Sequence, residues 1–110
     1  MSNQSSTSIA SLNDQFRKSF TGGHVYITAG IRSLGEAAVA VILQRVSQFE
    51  DFNEGNNPYH ENDFGSFEIH CHKVFWKIDC FDQSGDYASP DPANPDVTKR
   101  VLTVMLASEY

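Results

Sequence analysis

The stretch from Phe64 to Phe81 constrains this chain most, because its apolar residues alternate with polar ones on either side of a polar break. A period of two marks a half-buried strand. Two such runs around a short break predict a β-hairpin with its tip near Cys71-His72. With Cys71 and His72 as the loop, Ile69 faces Val74, Phe67 faces Trp76 and Gly65 faces Ile78, so one face is uniformly apolar. The other face sets Phe64, Ser66, Glu68 and His70 against Asp79, Lys77, Phe75 and Lys73, and it is mixed. A hairpin alone is marginal in water, so the rest of the chain must cover its apolar side.

The flanking segments supply candidates for that cover. Ile9, Leu12, Phe16 and Phe20 recur at helical spacing, with Ser6 or Thr7 as a cap and Gly22-Gly23 as the stop. His24 to Ala29 reads as a strand. Ser33 and Glu36 have capping-box spacing, and Leu34, Ala38, Val41/Ile42, Val46 and Phe49 extend a helical stripe to Glu50. Asp51 to Asp63 is a polar loop, and Asp82 to Asn94 is an acidic one. Asn94 as cap and Pro95 at the first helical position predict a last helix burying Val97, Val101, Leu102 and Met105. The order α-β-α-β-β-α predicts an α+β fold: a small antiparallel or mixed sheet, strand plus hairpin, packed with three helices. Residues 1–7 are expected to be flexible and 8–110 to form a single domain, since 110 residues that are 40% apolar suffice for one core.

Charge is distributed unevenly. The net value is −6, yet Glu50 to Asp96 alone holds eleven acidic residues and two basic ones, Lys73 and Lys77. This argues against direct nucleic-acid binding, which needs clustered Lys and Arg. No apolar run reaches the ~20 residues of a membrane helix, and the start of the chain lacks an apolar signal segment, so a cytoplasmic protein without a membrane role is expected.

Constellations for chemistry are few. In the expected hairpin Cys71 and Cys80 lie about 25 Å apart at ~3.3 Å per residue, beyond disulfide reach, so both are expected to be free thiols. His70-Cys71-His72 lacks the third and fourth convergent ligands that zinc needs, so neither metal nor cofactor is expected. The best acid/base candidates are His60, Glu61, Asp63 and Asp79 with Lys77, because a histidine beside carboxylates has the makings of an oriented general base.

Asn57-Pro58-Tyr59, Asp63-Phe64-Gly65, Phe75-Trp76-Lys77-Ile78-Asp79, Ser89-Pro90-Asp91-Pro92 and Arg100 to Leu106 resemble the bacterial domain of unknown function 3768 family, over about Leu12 to Tyr110. The resemblance implies short bacterial proteins, often carried on plasmids and other mobile DNA, with no established activity. The loop ahead of Asp-Phe-Gly, often Gly-Glu-His in that family, is His60-Glu61-Asn62 here, which removes a histidine and weakens the case for an enzyme. The hairpin tip, often a small residue and a glycine, is Cys71-His72.

The leading expectation is therefore a non-enzymatic acidic binding protein for a basic protein or nucleoprotein complex. Its concrete form is an inhibitor of a host nucleic-acid defence system, of anti-CRISPR or anti-restriction type, that mimics DNA. Glu50, Asp51, Glu54, Glu61, Asp63, Asp82, Asp86 and Asp91 are the expected contact residues. The alternatives are a small hydrolase using His60, Glu61, Asp63, Lys77 and Asp79, and a homodimer or toxin-antitoxin-type protein using the aromatic second face.

Overall fold

The computed structural model describes residues 2–110, with side chains from Ser8 onward. The side chains of Ser6 and Thr7, expected to cap the first helix, lie outside the described ones. The helices are α1 (Ser2–Ser19), α2 (Ala29–Arg32) and α3 (Glu36–Ser47). The strands are β1 (His24–Ile27), β2 (Phe64–Ile69), β3 (His72–Phe81) and β4 (Lys99–Leu106). They form one four-stranded mixed sheet in the order β1-β4-β3-β2, with β1 parallel to β4 and the other pairs antiparallel. The α+β class, the mixed sheet and the number of helices agree with the expectation, although the third helix is the short α2 and not one after Pro95.

The last helix does not exist. Asn94 does accept a hydrogen bond from the Asp96 backbone N–H, and Pro95 does open a helical turn, but this is a single 3₁₀ turn over Pro95–Val97. The chain then becomes β4, whose burial alternates through Arg100, Leu102 and Val104. Val101, Thr103 and Val104 are β-branched and favour a pleated surface. More decisively, β4 is hydrogen-bonded to a strand on each side, so tertiary pairing overrides a locally plausible helix.

Two local expectations are also corrected. The hairpin pairs Ile69 with His72, Phe67 with Val74 and Gly65 with Trp76, so its loop is His70-Cys71. His70 adopts φ +49°, a left-handed conformation that histidine visits more readily than most residues. The partners are offset by two positions from those expected. Two is the side-chain period, so every residue keeps its face. Ser33 does not form a capping box: its hydroxyl donates to the Gly30 carbonyl at the end of α2, and Gly35 at φ +98° caps α3.

The core lies between the helices and one sheet face. Phe16 of α1, Ile31 of α2, and Ile42 and Val46 of α3 meet Ile69, Val74, Trp76, Ile78, Leu102 and Val104. Trp76 is fully buried and packs edge-on against Phe49 and Phe52. Gly65, its cross-strand partner, has to be glycine: a Cβ there would lie 2.5 Å from the indole Nε1. On the opposite face Phe64 and Phe75 form an edge-on pair that Tyr110 overlies.

Candidate functional site

The acidic loop after α3 is held by helix α1 through three polar residues on its inward side. Asn13 is 1% exposed and donates to the Glu61 carbonyl at 2.8 Å. Asn62, at φ +54°, donates to both oxygens of Asp14 and accepts the Asn57 side-chain amide at 2.6 Å. Arg17, also 1% exposed, pairs with Asp14 at 3.1 Å and donates to the Val46 carbonyl at 2.7 Å.

The second acidic loop is tied to the same point. Asn13 Oδ1 accepts from Arg100 Nε at 2.8 Å, and the Arg100 guanidinium donates onward to the Pro92 carbonyl. One buried asparagine thus bridges both loops. Between them lies a cleft of about 170 Å³, lined by Asn13, Glu61, Asp63, Asp79, Cys80 and Pro92 among others.

The cleft gathers some of the expected residues and not others. Glu61, Asp63 and Asp79 converge there. Lys77 lies beside them, its Nζ 3.0 Å from Asp79 Oδ2. His60 is exposed at φ +56° and does not line the cleft, so the histidine on which an acid/base site depended is not brought in. Glu50 and Asp51 line a separate groove of about 490 Å³ with Phe49, Ser66, Phe67 and Glu68. Glu54 is exposed in a tight turn in which Asn53 Oδ1 accepts from the Gly55 and Asn56 backbones. Asp82 organises the other loop, accepting from the Ser84 hydroxyl at 2.6 Å and the Gly85 N–H at 3.0 Å. Asp86 and Asp91 are exposed, and Asp91 also accepts from the Ala93 N–H.

Electrostatics separate these carboxylates. Burial, reinforced by the neighbouring Asp63 charge, pushes Glu61 above its usual range. Burial likewise raises Asp63, with Asp79 adding to the rise and a hydrogen bond from its own backbone opposing it. Asp82 moves the other way, because the Ser84 hydroxyl and then nearby backbone N–H groups favour its charged form. Cys80 in the cleft is raised by burial and by the same three carboxylates, against an opposing pull from Arg100, which disfavours a thiolate nucleophile. Cys71 is exposed at the hairpin tip. Among the described residues no three His, Cys, Asp or Glu side chains converge in a way that could hold a metal ion.

A pH prediction follows. The folded state binds protons on Glu61 and Asp63 more readily than the unfolded chain does, so their contribution to stability falls as pH rises through the carboxylate range. Asp63→Asn is therefore expected to stabilise the protein at pH 7, by less than about 1 kcal/mol after solvent screening. The gain should vanish near pH ~2, well below the ordinary Asp value of about 3.9, where Asp63 is protonated in both states. Urea midpoints of variant and wild type at both pH values measure this. A variant less stable than wild type at pH 7 would refute it.

Sequence reasoning missed Asn13, Arg17 and Arg100 as the residues that position the loops. It also missed Glu109, whose carboxylate accepts from the Thr28 hydroxyl at 2.7 Å and from the Gly30 and Leu106 backbones. No local pattern marks them, because the bonds by which they tie segments together span 29 to 87 residues.

The architecture defines a class first: an α+β domain in which helices cover one face of a mixed four-stranded sheet and two acidic loops meet over its end. The family model described as protein of unknown function DUF3768 matches residues 27–109. The chain belongs to that family. No curated protein and no solved structure matches it. No helix among the described residues is long and apolar enough to cross a membrane.

Proposed function

We propose that this protein works by binding, offering the carboxylates of its two middle loops to a basic partner protein or nucleoprotein complex and performing no chemistry itself. The observation that carries this reading is the pair Glu61 and Asp63. The fold holds them together, half buried, where each is destabilised as an anion. Among the described residues, neither they nor Glu50, Asp51, Glu54, Asp82, Asp86 or Asp91 form an ion pair. Stability does not explain such an arrangement, and a cation from outside would relieve it. In its concrete form the partner is a host nucleic-acid defence complex whose DNA-binding groove the carboxylates occupy, as expected of an anti-CRISPR or anti-restriction inhibitor. The asymmetric charge of the chain is what supports that version.

The test is affinity capture from the native host at low and high salt, with wild type and a Glu61→Gln/Asp63→Asn double variant. Recovery of a basic complex by wild type at low salt only, and at least about tenfold less by the variant, is the expected result. A partner kept at high salt and indifferent to the double substitution rules the reading out.

The rival enzyme reading has one observation in its favour, the convergence of Glu61, Asp63 and Asp79 on a cleft containing Cys80. It lacks the histidine, and the thiol is raised rather than activated.

A further inference from the structure

Strand β2 ends the sheet, and its outer edge is unpaired. The Asp63 carbonyl accepts from the Ile78 N–H at 2.8 Å, which sets the phase of the β2–β3 ladder. Along an antiparallel pair, alternate residues bond inward and the intervening ones turn their N–H and C=O groups away. Gly65, Phe67 and Ile69 therefore bond to β3, whereas Phe64, Ser66 and Glu68 point outward. Among the described residues, no loop or side chain satisfies these outward groups.

The edge borders the groove that holds Glu50 and Asp51. Its volume of about 490 Å³ lies between the end of α3 and β2, and Ser66 and Glu68 line it directly. Phe49 and Phe67 give it an apolar floor. Glu50, Asp51 and Glu68 add three carboxylates without an ion pair. One cation, Arg45, also lines the groove, but its guanidinium lies 4.7 Å over the Phe67 ring and pairs with none of the three carboxylates.

We propose that this edge accepts an extended segment of a basic partner as a fifth strand, with Lys or Arg side chains reaching Glu50, Asp51 and Glu68. The proposal rests on the binding reading above and names the way the partner is held. Main-chain bonds to Ser66 and Glu68 supply alignment, and the carboxylates select charge. A second copy of this chain is the wrong occupant. Pairing β2 with itself would bring two sets of these three carboxylates together, and like charges across such a contact are unfavourable.

The probe is a short peptide alternating lysine and valine, followed by NMR amide exchange on the whole protein. Binding should slow exchange of the Ser66 and Glu68 amides by at least about tenfold at saturation. The same peptide N-methylated at alternate residues, which cannot donate, should bind at least about tenfold more weakly. So should the parent peptide to Ser66→Pro, a substitution the fold tolerates because that N–H faces outward. Equal affinity for the two peptides, or protection away from β2, overturns strand addition. If that binding is nevertheless lost in high salt and in Glu61→Gln/Asp63→Asn, the acidic-surface reading survives alone. Protection of Ser66 and Glu68 that persists unchanged in high salt overturns the requirement for a basic partner.

Discussion

Trp76→Ala lowers the unfolding free energy by about 3–5 kcal/mol, the range for deleting a large buried aromatic side chain. The indole is fully buried at the centre of the sheet and faces Phe49, Phe52 and the Arg17 guanidinium, which lies 5.1 Å from its ring. Its removal leaves a cavity that Gly65, the residue across the ladder, has no side chain to fill. The binding groove suffers too, because Phe49 lines it and loses the ring against which it packs. Urea unfolding followed by circular dichroism measures the loss, since Trp76 is the only tryptophan and fluorescence disappears with it. A fall in midpoint with an unchanged slope is expected. A loss below about 1 kcal/mol would show that the indole is not the centre of this core.

Arg17→Met should cost about 2–4 kcal/mol, even though it removes a buried charge from a largely apolar site. The guanidinium closes the C-terminal end of α3, donating to the Val46 carbonyl at 2.7 Å and the Ser47 carbonyl at 3.3 Å. It also holds Asp14, which in turn receives Asn62 from the acidic loop. Methionine replaces the stem and its packing but leaves the Val46 carbonyl only longer backbone contacts such as the 3.3 Å one from Phe49 N–H, the Ser47 carbonyl without its donor and Asp14 without its cation. The Asp14 side chain is 29% exposed, so water recovers part of that last cost and the estimate stays below the upper range for a fully buried pair. Arg17→Lys should restore only part of the loss, because an ammonium cannot bridge two carbonyls and a carboxylate while lying over Trp76 and Phe52. Thermal and urea unfolding of the three proteins decide this. A methionine variant as stable as wild type would mean that desolvation of the guanidinium cancels all it contributes.

The comparison of sequence with structure turns on how far apart the interacting residues lie. The hairpin faces were legible because alternation is a local property that survives an error in the tip. The expected tip was Cys71-His72 and the real one is His70-Cys71, yet Trp76, Val74 and Ile78 face the core as expected. The stripe of α1 was legible through Ile9 and Phe16, but not through the buried Asn13 and Arg17 beside them. The two acidic loops were legible as charge. Their meeting at a cleft was not, because Asn13 and Arg100 create it over a separation of 87 residues.

Local patterns thus determined the fold class, the hairpin, the first strand, the main helices and the concentration of carboxylates in the middle of the chain, since each depends on periodicity or composition within a short window. Tertiary structure alone decided that the last segment is a strand, because Lys99–Leu106 gains hydrogen-bonding partners on both sides only once β1 and β3 are in place. It also decided which carboxylates share a cleft and which edge of the sheet is free. Those outcomes depend on contacts between distant segments, and no local spacing encodes them.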